Sequence, residues 1–232
     1  MLKAVIFDFD GIIADTEPLH YRAFLDVLEP EGLSFSWERY LERYIGFDDR
    51  DMFRTVYADH GKELSHRHLS ELIGRKTGRF MDAVEDGVAA YPGVVEMIDE
   101  LGRELPLALC SGALLCDIEP IMNRLGLFDL FAVVVSAEQV RASKPDPESY
   151  RLAVRRLQEI FPDGGIIASR CLAIEDTPAG IESALGAGVP TLAVTNSFPE
   201  AMLGGAHRIV SSLVDLRLTD LESVLAGYEK RS

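Results

Sequence analysis

Ala4-Val5-Ile6-Phe7-Asp8-Phe9-Asp10-Gly11-Ile12-Ile13-Ala14-Asp15-Thr16-Glu17 is the stretch on which the reading of this 232-residue chain turns. Its first four residues are apolar and β-prone, and polar residues bound them, which predicts a buried strand. At the carboxyl end of that strand stand two acids, one residue apart, and then a glycine. Open parallel sheets bind ligands outside the carboxyl ends of their strands, so Asp8 and Asp10 occupy a position suited to chemistry. In an extended chain, residues i and i+2 point the same way. Two carboxylates then face one small volume, and their repulsion calls for a cation, a lysine or a proton. The pair alone is also compatible with a solvated loop, so later strands must bring the positive charge.

Downstream, the pattern changes twice. From Thr16 to Val88 the apolar periodicity is helical, over 18–28, 37–44, 51–57 and 65–84, and no strand-like run interrupts it. This predicts a small helical unit over 16–88, inserted after the first strand, with 1–15 and 89–232 forming the remainder. From Tyr91 onward, strands alternate with helices. Strands are expected at 107–110, 132–135, 171–174 and 191–194, with a short edge strand at 209–210. Helices are expected at 94–101, 117–125, 148–160, 178–187 and 219–226. Such alternation implies an α/β fold with right-handed crossovers and a parallel sheet covered on both faces.

Composition narrows the function. With 47% hydrophobic residues the chain can build a sizeable core. A formal net charge of −15 argues against a nucleic-acid polymer or an anionic membrane as partner. It leaves room for a small anionic substrate held by a few local cations. No apolar run of about eighteen residues is present, so no membrane span is expected. Met1-Leu2-Lys3 leads straight into the first strand, without the pattern of a signal peptide. Cys110, Cys116 and Cys171 match no zinc spacing. Cys110 and Cys171 lie in apolar runs and are expected to be inert core thiols in a reducing cytoplasm. The expected assembly is a monomer or small homo-oligomer. His60, His66 and His68 also match no metal template and are expected on a solvated helix face.

Polar residues gather at the strand ends. The first strand ends in Asp8 and Asp10, the second in Ser111-Gly112, and the fourth in Glu175-Asp176. Lys144 follows the third, just before a helix. Convergent carboxylate oxygens suit a hard divalent cation such as Mg²⁺. A phosphate can then sit between metal, Lys144, the Ser111 hydroxyl and loop N–H groups. One aspartate would be available to attack phosphorus. The other acid would protonate the leaving oxygen and activate water.

Asp-Phe-Asp-Gly-Ile-Ile-Ala-Asp-Thr-Glu at 8–17, Ser-Gly at 111–112, Lys-Pro at 144–145 and Glu-Asp-Thr-Pro-Ala-Gly at 175–180 resemble the four motifs of the haloacid dehalogenase-like hydrolase superfamily. The resemblance spans nearly the whole chain and is closest to the phosphatase and β-phosphoglucomutase branch. It implies a Rossmann-like core with an inserted all-helical cap. It implies that Asp8 is the nucleophile and Asp10 the general acid/base. Ser111, Gly112 and Lys144 would hold the phosphoryl group. Asp8, the Asp10 carbonyl and Asp176 would hold Mg²⁺, with Glu175 supporting or ligating. In the cap, His20, Arg50 and Lys76 sit near positions that a mutase of this kind uses for substrate.

Within the superfamily, Asp10 and the Glu175-Asp176 pair speak against metal-free dehalogenation. The cap loop Gly46-Phe47-Asp48-Asp49-Arg50 offers an arginine, which cannot form the Schiff base of phosphonate-cleaving members. The mutase holds a second phosphate with a Lys-Asn pair shortly after the serine of the second motif. This chain has Leu114-Leu115 there, which favours a simple phosphatase acting on a small phosphorylated metabolite. The β-phosphoglucomutase reaction is the alternative. A non-enzymatic phospho-receiver module is the remote one, since such domains lack a helical insert after the first strand.

Overall fold

The computed structural model describes residues 1–45 and 47–229. Gly46, the first residue of the expected cap loop, lies outside them. The chain forms two compact units, one from Met1–Ala14 with the chain from Ala90 onward, the other Asp15–Ala89.

The larger unit is built on six strands, β1 (Ala4–Phe7), β2 (Leu107–Cys110), β3 (Phe131–Val135), β4 (Cys171–Glu175), β5 (Thr191–Val194) and β6 (Arg208–Val210). They pair in parallel in the order β3-β2-β1-β4-β5-β6. β1, β2, β4 and β5 are buried along their whole length. This is why they read as unbroken apolar runs: a parallel sheet with helices on both faces has no wet side. The helices are α5 (Val94–Gly102), α6 (Leu115–Arg124), α7 (Glu148–Ile160), α8 (Pro178–Gly186) and α9 (Leu218–Glu229). One face of the sheet offers Ala4, Ile6, Ala108, Cys110 and Ala173 to Tyr150, Ala153 and Leu157 of α7. Cys110 and Cys171 belong to this core, and burial pushes both thiols up. On the opposite face Phe7 meets Phe131 edge to face, with ring centres 5.9 Å apart.

β1 lies at the point where the strand order reverses. The chain adds β2 and β3 on one side of it, then crosses to β4 on the other. Crevices at the carboxyl ends of strands open at such switch points. The sequence motif of the first strand therefore sits at the centre of the sheet.

The smaller unit carries α1 (Glu17–Leu28), α2 (Trp37–Arg43), α3 (Asp49–Asp59) and α4 (His66–Asp86). Its described residues contain no strand. It has its own apolar core, in which Phe24 and Phe53 meet edge to face at 5.2 Å with Val27, Val56 and Leu72 around them. Ser36, Asp48 and Ser65 cap α2, α3 and α4 through their side chains, each satisfying an N–H that the first helical turn leaves open. No helix among the described residues is long and apolar enough to cross a membrane.

Three local expectations are corrected. α3 begins at Asp49, two residues earlier than expected, because the Asp48 carboxylate accepts the Asp51 N–H at 2.8 Å. α6 begins at Leu115, because Glu138, distant in sequence, accepts the Leu115 N–H at 3.1 Å. His68 is half-buried, with Nε2 3.0 Å from the Tyr57 hydroxyl, where α3 and α4 pack; His60 and His66 are exposed as expected.

Leu157 is fully buried between α7 and the sheet. Leu157→Ala is expected to cost about 2–5 kcal/mol of stability, the range for truncating a buried leucine. Urea denaturation measures it, and a loss below about 1 kcal/mol would remove Leu157 from the load of the core.

Candidate active site

Parallel pairing of β1 with both β2 and β4 aligns three strand ends. Phe7 is level with Leu109 on one side and Ile174 on the other. The residues that follow, Asp8, Cys110 and Glu175, therefore share one level, and Ser111 and Asp176 stand one step beyond.

Lys144 reaches into this row from the loop before α7. Its Nζ donates to Asp8 Oδ1 at 2.8 Å, to Glu175 Oε1 at 2.6 Å and to the Cys110 carbonyl at 3.0 Å. These acceptors use the three donors of the ammonium. Glu175 Oε1 also accepts from the fully buried Tyr150 hydroxyl at 2.6 Å. Thr177 lies on the other oxygen at 3.4 Å and caps α8 by accepting the Gly180 N–H at 3.0 Å.

Asp8, Glu175 and Asp176 are all buried, and each offers a carboxylate oxygen within 4.8 Å of the others. Burial, then repulsion from Glu175, pushes the Asp8 carboxyl up to about 8 against the pull of Lys144. Lys144 moves the other way from an isolated buried lysine. Burial disfavours its charge, but Asp8 and Glu175 outweigh that and hold it above the ordinary lysine range. Acids thus outnumber cations in a dry place. An oxygen-only donor set with excess negative charge fits a hard divalent cation.

Gly11 allows the first and fourth strand ends to meet. Its φ of +77° suits glycine, and a Cβ there would fall 1.9 Å from Asp176 Oδ2. The backbone beside Asp10 can approach Asp176 only because that Cβ is missing. Asp10 itself is half-buried, and its charge contributes to raising Asp8. Ser111 donates its N–H to the Val135 carbonyl, and its hydroxyl accepts the Ala113 N–H at 2.9 Å. The Ser111-Gly112 turn follows directly on β2, with open space at Gly112.

The description haloacid dehalogenase-like hydrolase matches residues 5–194 of this sequence, a span that contains every one of these strand ends. The chain belongs to that family. Among its relatives, the fructose-1-phosphate phosphatase YqaB of Escherichia coli is 29% identical over 192 residues, covering 82% of this chain and 95% of YqaB. The β-phosphoglucomutase of Bacillus subtilis is 28% identical, covering 99% of this chain and 98% of its own. A crystal structure of CbbY from Rhodobacter sphaeroides in complex with xylulose-1,5-bisphosphate is 27% identical, with a TM-score of 0.84 over 95% of this chain and 99% of that one.

The hydrolase also has strand-end residues that the sequence reading passed over. Asn196 and Ser197 follow β5. The Asn196 amide donates to the Gly11 carbonyl at 2.6 Å, and the Ser197 hydroxyl donates to Asp176 Oδ2. The rule used for the other strands, polar residues just past a carboxyl end, would have found them. Tyr150 carried no such signal, being an aromatic residue on the apolar stripe of a helix.

Among the cap candidates, His20 and Lys76 meet inside the helical unit. Lys76 is fully buried, with Nζ 2.8 Å from His20 Nδ1 and 2.9 Å from Asp49 Oδ1. His20 stacks on Phe80 at 4.2 Å. Arg50 stands at the start of α3, with Nε and Nη2 on Asp48 Oδ2 at 3.1 and 2.7 Å.

A Cβ at Gly180 would fall 1.9 Å from Glu175 Oε2. Gly180→Ala must therefore shift Glu175, and with it Lys144. Turnover of a generic aryl phosphate is expected to fall about 10²-fold, the scale for misplacing a reacting group by 1 Å. Stability is expected to fall by about 1–3 kcal/mol. Steady-state kinetics beside a thermal melt reads both, and wild-type turnover would show that the Glu175 position does not matter.

Proposed function

We propose that this phosphoric monoester hydrolase is a Mg²⁺-dependent phosphatase that hydrolyses a small phosphorylated sugar or a phosphoglycolate-like acid through an aspartyl-phosphate intermediate. The observation that carries the reading is the Lys144 ammonium held between Asp8 and Glu175 at the switch point of the sheet. The substrate class is supported by a relative named for fructose 1-phosphate and by one crystallised with xylulose 1,5-bisphosphate. A cytoplasmic setting belongs to this reading, in keeping with three cysteines that form no disulfide framework.

In this reading an Asp8 oxygen attacks phosphorus and the bond to the leaving oxygen breaks. Asp10 gives that oxygen its proton. Asp10 then takes a proton from water as the water attacks phosphorus, which frees Asp8 and releases phosphate. Ser111, Gly112 and Lys144 hold the phosphoryl oxygens, with Lys144 offsetting their charge. Asp8, the Asp10 carbonyl and Asp176 would hold Mg²⁺, with Glu175 in support through its bonds to Lys144 and Tyr150. When bound, Mg²⁺ supplies the positive charge that favours the anionic form of Asp8 and offsets that of the phosphoryl oxygens. Arg50 is assigned to the part of the substrate remote from phosphorus. His20 and Lys76 serve the substrate by pinning Asp49, and so the start of α3 on which Arg50 stands.

One observation favours a phosphatase over a mutase. The Glu138 carboxylate accepts the Leu115 N–H at the start of α6. An acid already lies where a second phosphate would need a helix N-terminus and cations, and Leu114-Leu115 adds no charge of its own.

Asp8→Asn is expected to abolish turnover and acid-stable labelling of the protein by substrate phosphate. Asp10→Asn is expected to keep Mg²⁺ affinity and lose about 10²- to 10⁴-fold in turnover, the usual worth of a general acid/base. Intact-mass analysis after acid quench, with Mg²⁺ titration of both variants, reads this; label on another residue would reassign the nucleophile.

Phosphate release from a panel of phosphorylated metabolites tests the class as a whole. Sugar phosphates or phosphoglycolate are expected to lead the panel, with activity lost to chelator and inhibited by Ca²⁺, whose coordination is larger and looser. Arg50→Ala is expected to harm the best substrate more than an aryl phosphate. Interconversion of sugar phosphates without release would establish the mutase instead.

A further inference from the structure

Asn196 and Ser197 join two arms of the site that come from strands far apart in sequence. The Ser197 hydroxyl must be the donor to Asp176 Oδ2, because a carboxylate has only acceptors. The Asn196 amide must present its NH₂ to the Gly11 carbonyl, 2.6 Å away, for the same reason. The two contacts close a ring. Gly11 packs on Asp176, Asp176 is held by Ser197, and Ser197 is joined through one peptide to Asn196, which returns to Gly11. The ring has no slack, since a Cβ on Gly11 would fall 2.8 Å from Ser197 Oγ and 1.9 Å from Asp176 Oδ2.

We infer that Asn196 and Ser197 are positioning residues for the cation site, which fix Asp176 and the Asp10–Gly11 backbone at one separation. The inference rests on the reading above, in which Asp176 and the Asp10 carbonyl hold Mg²⁺. Asp176 is fully buried, so its carboxylate cannot borrow orientation from solvent. A hydroxyl on Oδ2 sets the carboxylate plane and presents the other oxygen in a fixed direction. Mg²⁺ demands near-octahedral geometry and tolerates misdirected ligands poorly. Asn196 does the same for the other arm: a bond to the Gly11 carbonyl sets the peptide plane that follows Asp10. Outer contacts of this kind are worth about 10- to 100-fold in metal affinity. β5 thereby contributes to the site without offering it a ligand.

The test is calorimetric titration of the whole chain with Mg²⁺ alone, for wild type, Ser197→Ala, Ser197→Thr, Asn196→Ala and Asp176→Ala. Ser197→Ala and Asn196→Ala are each expected to weaken Mg²⁺ about 10- to 100-fold, and Ser197→Thr, which keeps the hydroxyl, to stay within about threefold of wild type. With an aryl phosphate, the Mg²⁺ concentration for half-activation should rise in step for the alanine variants, while kcat at saturating metal falls by less. Thermal melts with and without Mg²⁺ separate lost affinity from lost folding. If both alanine variants bind Mg²⁺ as wild type does while Asp176→Ala does not, the inference is overturned and the metal reading stands. If wild type binds no Mg²⁺, or Asp176→Ala binds it unchanged, the metal reading falls and takes this inference with it.

Discussion

One ammonium group holds the centre of this molecule together. Lys144 spans from the loop before α7 to the ends of β1, β2 and β4, touching Asp8, the Cys110 carbonyl and Glu175. Burying a charge is tolerable only when it is paired and hydrogen-bonded. Each member of the group therefore depends on the others being in place. Glu175 needs Lys144 and the Tyr150 hydroxyl, and Tyr150 is one of the largest fully buried side chains of the core. Core packing and site geometry thus share residues. The packing of α7 on the sheet seats the phenol that holds the carboxylate that holds the lysine.

The same arrangement leaves the site short of positive charge. Asp8, Glu175 and Asp176 cluster in a buried region where Lys144 pairs with the first two. Burial first, and repulsion from Glu175 second, raise the Asp8 carboxyl in this setting. In the proposed reading, a cation and the phosphoryl group of the substrate would meet this cluster of acids. Two glycines make the crowding possible. Gly11 admits Asp176, and Gly180 admits Glu175, each at a distance no side chain would allow. Gly11 lies in the turn after β1 and Gly180 in the first turn of α8, so neither sits in the middle of a regular element.

The helical unit solves a different problem with similar means. It buries its own charged group, Lys76, against Asp49, His20 and the rings of Phe24 and Phe80, at 5.0 Å from each ring centre. An ammonium over aromatic faces is attracted by their electrons. The cluster ties α1, α3 and α4 together, with Lys76 holding Asp49, the first residue of α3. A unit with its own core can vary its surface without disturbing the row of strand ends, which suits a family whose relatives carry names as different as a sugar phosphatase and a mutase.

By itself the sequence determined the class of fold and which polar residues follow the strands. Both are local properties. Strands buried on both faces must be apolar throughout, the acids and the Ser-Gly turn stand directly beside them in the chain, and the lysine stands just before the helix that follows the third strand. Helix starts were legible at α2, α5, α7 and α8, and were missed by two residues at α3 although its cap is local. They were missed too at α6, whose first N–H is taken by Glu138, 23 positions along the chain. Only the tertiary structure decided the order of the strands, and with it that β1 stands between β2 and β4. It alone brought Tyr150 to Glu175, Ser197 to Asp176 and Asn196 to Gly11, the last across 185 positions. A hydrogen bond between distant residues leaves no periodicity and no spacing in either segment. It exists only after the hydrophobic burial of the sheet has brought the strand ends together.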